Sequence, residues 1–113
     1  MKSGFLLVKE CLEHKHHPEV PERVVAIGER LEKCGLSSKL SSYELHPDPL
    51  SVVTKLHTKE HAAAIDAIPD TGKAARFAVA GVLGAVKAVS EGKIKNAFCA
   101  IRPPGHHATN LCK

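Results

Sequence analysis

Two adjacent histidines, His106 and His107, carry the chemistry that this sequence offers most openly. Imidazole exchanges its proton near neutral pH, so a pair can divide acid and base work over one bond. The pair follows Arg102-Pro103-Pro104-Gly105. The prolines cannot donate to a sheet ladder and keep the backbone extended. The glycine lets that backbone pass close to another group. Three more histidines, His14, His16 and His17, crowd one polar stretch near the start of the chain. A further pair, His57 and His61, has a helical spacing that suits zinc, but no glutamate holds the catalytic motif position between them. Those two read as surface or capping positions.

The elements that position these groups follow from apolar spacing and breakers. Residues 96–101, before the prolines, form a short apolar run that reads as a buried strand. Residues 5–8 read the same way, and the polar, histidine-rich residues 9–18 make a loop. A first helix starts near Pro21, with Glu22 suiting the positive end of its dipole. Val24, Ile27, Leu31 and Cys34 recur at helical spacing as its expected buried stripe, and Gly35 ends it.

Tyr43-Glu44-Leu45 is expected to form a short edge strand. Asp48-Pro49 predicts a cap and a first helical residue, with a short helix running to Leu56. Thr58 caps a second one carrying His61, Ala62 and Ile65. Pro69-Asp70-Thr71-Gly72 breaks it. Residues 73–90 make the longest helix, apolar nearly all round, with Arg76 and Lys87 its only interior charges. Such a helix is normally buried on several sides. Glu91-Gly92-Lys93 turns into the last strand. This α/β order predicts a small, mainly parallel sheet with flanking helices, about three strands in the order 2-1-3.

A chain of 113 residues makes a single domain with a small core. Only 4% of residues are aromatic, so that core is aliphatic and alanine-rich. No stretch approaches the roughly 20 apolar residues that span a bilayer. The apolar run after Met1-Lys2-Ser3-Gly4 is too short for a signal peptide, and no small-residue cleavage site follows it. Cys11, Cys34, Cys99 and Cys112 lie far apart, which argues against a zinc knuckle or a disulfide framework and for a cytoplasmic location. Cys11 and Cys99 are expected to be buried packing residues. The net charge is +4, but the lysines are scattered and stacking aromatics are scarce, so no nucleic-acid partner is expected.

The string from Arg102 to Ala108 closely resembles the strand-end signature of the histone deacetylase and acetylpolyamine amidohydrolase family. Cys11-Leu12-Glu13-His14 and residues 17–23 resemble that family's first loop and first helix start. Residues 56–61 resemble its segment before the long helix, and residues 92–98 its approach to the strand. The pieces keep the family's order and cover almost the whole chain, which corresponds to the front of the family's domain. The chain is therefore expected to be one truncated deacetylase-like domain, residues 1–113, with an arginase-type fold.

In the resembled family a zinc ion polarises an amide carbonyl and activates a water, and two histidines act on both as acid and base. By matching position these roles fall on His106 and His107, and Gly105 would allow close approach of substrate. In α/β sheets ligands gather at the carboxyl ends of strands. That expectation brings His14, His16 and His17 towards His106 and His107, with His14 and His17 on the substrate side. The family's zinc ligands, an aspartate and a histidine one residue apart and a further aspartate, come after the point where this sequence stops. Residues 109–113 do not match the glycine-rich stretch the family has next, and the region around Asp70 looks shortened.

The resemblance thus implies a module of an amide hydrolase without deacetylase activity of its own. The alternative is part of an active enzyme for acetylated lysine or polyamine, completed by another chain. The crowded loop histidines could hold zinc or nickel, but no carboxylate supports them. No metal ligand is assigned, and no cofactor is expected for this chain alone. A bare outer edge on the last strand and the apolar long helix predict a homo-oligomer.

Overall fold

Two four-residue strands, β1 (Gly4–Leu7) and β2 (Ala97–Ala100), lie parallel, with Gly4 opposite Ala97 and Leu7 opposite Ala100. The protein was analysed as a computed structural model, which describes residues 2–13 and 20–105. Between the strands run α1 (Glu22–Lys33), α2 (Pro49–Val53), α3 (Lys59–Asp66) and α4 (Thr71–Ser90). Short 3-10 turns cover Lys9–Glu13 and Ser37–Lys39. A parallel pair needs a long crossover, and the helices supply it.

The expected third strand is corrected. Residues 43–45 form no strand, and pairing on that side of β1 shrinks to one isolated parallel bridge between Gly4 and Ser41. The amide of Phe5 donates to the Ser41 carbonyl at 2.8 Å. Residues 43–45 are engaged elsewhere. The Tyr43 ring lies against Gly4, which has no side chain to block it, and its hydroxyl reaches the Cys99 sulfur at 2.9 Å. Leu45 packs against the core. The small parallel sheet with flanking helices remains, with two strands among the described residues.

α4 holds the layers together through small residues. Gly72, Ala74, Ala78, Ala80, Gly81, Gly84, Ala85 and Ala88 are its buried positions. At Gly84 the helix backbone meets the carbonyl of Glu44 so closely that a Cβ would overlap that oxygen. At Gly81 a Cβ would stand 3.2 Å from a Val8 methyl. The amide of His46 donates to the Ala80 carbonyl at 3.0 Å, tying residues 43–46 to the same helix. Val8, Cys11 and Ala78 form the core cluster, with Leu6, Leu45, Phe77 and Ile101 packed on it.

Helix ends largely follow local chemistry. Thr58 caps α3, its hydroxyl accepting from the amide of His61 at 3.2 Å. Asp48 stands before Pro49 at the start of α2 but makes no side-chain cap, and α2 stops at Val53 rather than at Leu56. Gly35 follows α1 with φ 76°, a left-handed conformation that glycine adopts at little cost.

The stripe on α1 is also corrected. Only Val24 is buried, while Ile27 and Cys34 are exposed. Gly28 explains the shift: a Cβ there would stand 2.8 Å from a Leu7 methyl. The helix approaches β1 at Gly28, one turn after the buried Val24, rather than along Ile27 and Cys34.

α4 is not covered all round either. Val82, Val86 and Val89 are exposed, Val86 at 57%. Phe98 on β2 stacks on Phe5 at 5.9 Å between centroids yet stays 56% exposed. Among the described residues no strand pairs with the outer edge of β2.

Tyr43 is the sole tyrosine, and the chain has no tryptophan, so its phenolate absorption is a clean reporter. Burial pushes the Tyr43 phenol above its usual range, and the hydrogen bond and charge of Cys99 push it further. A raised folded-state pKa favours the neutral phenol, so its stabilising effect is complete below the unfolded value near 10 and is lost as pH rises above it. The phenolate band is expected to appear later in the folded chain than in urea, and together with alkaline unfolding. Tyr43→Phe should flatten the alkaline loss of stability. Identical titration curves in buffer and in urea would refute the contact.

Candidate functional site

The two strands deliver their carboxyl ends side by side, which decides where the chemistry gathers. The amide of Val8, just past β1, donates to the Ala100 carbonyl of β2 at 3.5 Å. From there the chain enters the Lys9–Glu13 turn on one side and residues 101–105 on the other. Arg102 locks the two exits together. Its side chain is 1% exposed, and its Nη1 donates to the carbonyl of Cys11 at 2.9 Å. Cys11 itself is fully buried, and its thiol lies 3.9 Å from the Ala74 carbonyl of α4. A charge-assisted bond in a dry setting is stronger than a neutral one. Arg102 thus fixes the direction in which Pro103-Pro104-Gly105 leaves the sheet.

His106 and His107 follow that segment, and His14 and His17 follow the turn after β1. All four, with His16, lie outside the described residues. Gly105 is described: it is exposed and borders a groove of about 560 Å³. Pro103 and Pro104 border the same groove, together with Leu50 and Val53 of α2, Ile65 of α3 and Val79 of α4.

The groove carries polar groups that sequence reasoning placed elsewhere. His57 and His61, expected at the surface, both line it and are half-buried. Their ring centroids are 5.2 Å apart. Asp66 of α3 accepts from Nη1 of Arg76 of α4 at 2.6 Å, both side chains about a third exposed (33% and 35%). This pair closes α3 onto α4 beneath the groove. Arg76 stood out in the sequence as a rare charge in an apolar helix; its partner ten residues earlier had no such mark. Cys99, expected to be buried, is half-exposed and bound to Tyr43.

Among the described residues no three histidine, cysteine, aspartate or glutamate side chains converge on one point. A catalytic zinc takes three protein ligands and keeps one position open. The described residues do not fit such an ion. No helix among them is long and apolar enough to cross a membrane.

Residues 17–112 match the sequence profile of the family described as histone deacetylase domain. The chain belongs to this family. A probable deacetylase of Archaeoglobus fulgidus is 29% identical over 127 residues, covering 96% of this chain and 35% of that protein. That alignment is longer than the 113 residues here, so the archaeal deacetylase has residues without a counterpart in this histone deacetylase domain chain. Human polyamine deacetylase HDAC10 is 34% identical over 110 residues, covering 79% of this chain and 16% of that protein. Histone deacetylase 5 of Arabidopsis thaliana is 30% identical over 117 residues and is covered to 17%. The chain therefore spans about a third or less of the length of these relatives.

The crystal structure of the HDA15 HD domain superposes with a TM-score of 0.78 at 23% identity. It covers 99% of this chain, which in turn covers 40% of that one. The fold is that of the arginase/deacetylase class, in which the groove and the strand exits described above form one part.

Replacing Arg102 tests the lock between the strand exits. Arg102→Met removes a charged donor and leaves the buried Cys11 carbonyl without that partner, an expected loss of about 1.5–3 kcal/mol in urea denaturation. Arg76→Met, at a partly solvated pair, should cost about 1 kcal/mol or less. Equal effects of the two would refute the distinction.

Proposed function

We propose that this chain is the histidine-bearing part of a zinc-dependent amide hydrolase of the histone deacetylase class, and that it does not deacetylate by itself. The observation that carries the reading is the segment Arg102–Gly105. It is anchored by a buried guanidinium at the strand exit and leads directly into His106-His107 within a chain matched to the family over residues 17–112. In the proposed roles one histidine accepts a proton from the attacking water and the other donates to the departing amine. Gly105 leaves room for the acyl group, and His14 and His17 stand on the substrate side. Substrates of the class proposed are acetylated lysine or acetylated polyamine, in keeping with the histone and polyamine deacetylases among the relatives.

The chain spans a minor part of each relative, so the activity of the whole enzyme is proposed for it only together with the rest of such a domain. A second reading has its own support, from the open edge of β2 and the 40% coverage of the matched fold. There the rest of a deacetylase domain, supplied by another chain, seats against this one and brings the metal ligands.

A fluorogenic acetyl-lysine substrate with added zinc separates these readings. The purified chain is expected to give no turnover. Turnover that appears on mixing with the remaining part of a deacetylase domain, and vanishes with His106→Ala or His107→Ala, supports the second reading. Turnover by the isolated chain that vanishes with the same changes would overturn the first.

We further propose that the free chain self-associates through the β2 edge and the exposed valine face of α4. Sedimentation at micromolar concentration is expected to show a dimer or larger species, and Phe98→Glu with Val86→Glu to shift it towards monomer. A clean monomer of the unaltered chain would refute the proposal.

A further inference from the structure

We infer that His57 and His61 chelate a divalent transition-metal ion, zinc being the representative case, at the wall of the groove between α2, α3 and α4. The two imidazole rings lie with centroids 5.2 Å apart and planes inclined by 32°. Two imidazoles bound to one tetrahedral zinc, with Zn–N bonds of about 2.0–2.1 Å, place their centroids about 5 Å apart. The observed separation of 5.2 Å matches that spacing.

A second observation points to a ligand. Nδ1 of His57 is shielded from solvent and meets no hydrogen-bond partner among the described residues, the ring of His61 included. A ring nitrogen without a partner is costly in a buried setting, and a metal bond would satisfy it.

The backbone holds both residues in place. The amide of His57 donates to the Val53 carbonyl at 2.9 Å, at the end of α2. The amide of His61 donates to the Thr58 hydroxyl at 3.2 Å, in the first turn of α3. Little freedom of the main chain is lost when the two rings share an ion. The positive end of α3 opposes a cation there, which sets a limit on affinity.

Two protein nitrogens are fewer than the three or four of a closed or catalytic zinc site. Both imidazoles line the groove, which is also lined by the Asp66–Arg76 pair and by Gly105. The site would therefore hold its ion together with an exogenous oxygen or nitrogen ligand, a carboxylate being the simplest class. The inference does not rest on the deacetylase roles proposed for His106 and His107, and either can fail without the other.

The test uses the full chain labelled with nitrogen-15, titrated with zinc chloride alone and followed by long-range imidazole spectra. At about one equivalent, the nitrogens of His57 and His61 are expected to shift, Nδ1 of His57 among them. Affinity should fall about tenfold or more in His57→Gln and in His61→Gln, since each removes one of two protein ligands. It should stay within about twofold when His14, His16 and His17 are replaced by Gln together, because those imidazoles are not ligands of this site. Circular dichroism checks that each variant is folded; His61→Gln, on an exposed helix turn with a good helix former, serves if His57→Gln is not. Unchanged affinity in folded His61→Gln would overturn the inference. So would loss of binding only when the loop histidines or His106 and His107 are replaced, which would mark an adventitious ion on those residues.

Discussion

The close seating of α4 on the chain around β1 is the constraint on which the rest depends. Two four-residue strands cannot sustain a fold by themselves. The helix supplies the missing surface, and it does so with glycine and alanine rather than with large side chains. Gly84 lets its backbone touch the Glu44 carbonyl, and Gly81 brings it to Val8. Each small residue buries little area, so the gain lies in bringing backbones together, where Leu6, Phe77 and Ile101 can then close around Val8 and Cys11. A larger residue at Gly84 would separate the layers and loosen everything seated between them.

The same seating places the chemistry. Cys11 lies between α4 and the strand exits, its thiol near Ala74 and its carbonyl bonded to Arg102. One buried cysteine thus links the long helix, the turn after β1 and the segment after β2. The guanidinium is shielded from water, so its bond to that carbonyl is not weakened by solvent competition. The segment leading to His106 and His107 inherits its direction from this link. The long-range hydrogen bond between Tyr43 and Cys99 plays a similar part beside β1, where a regular third strand would otherwise run.

What the seating does not cover is equally informative. Among the described residues the valine face of α4 and Phe98 are exposed, and no strand pairs with the outer edge of β2. In the matched deacetylase structure this chain corresponds to 40% of the polypeptide. A surface that is apolar and lies beside an unpaired strand suits further protein, and the two proposed occupants, a second copy or the rest of a deacetylase domain, share that chemistry. The groove beside Gly105 is different in kind. It is lined by aliphatic side chains but also by two imidazoles and an ion pair, and such mixed clefts take small ligands.

The family, the order of the helices and the strand exit before His106 were legible in the sequence by itself. They rest on local information: apolar runs of four, Thr58 as a cap, Gly35 and Gly92 at turns, and the string from Arg102 onwards. The histone deacetylase match over residues 17–112 agrees with that string. Where the outcome depended on which surfaces meet, only the tertiary structure decided. Residues 43–45 had strand-like composition, but Gly4 and Gly84 drew them against β1 and α4 instead. Ile27 and Cys34 had helical spacing, yet the missing side chain at Gly28 turned a neighbouring line towards the sheet. His57 and His61 looked like surface residues because spacing along one helix says nothing about a wall built from three helices and a strand exit. Periodicity reports that a side chain has a face; which partner that face meets is a property of the packed chain.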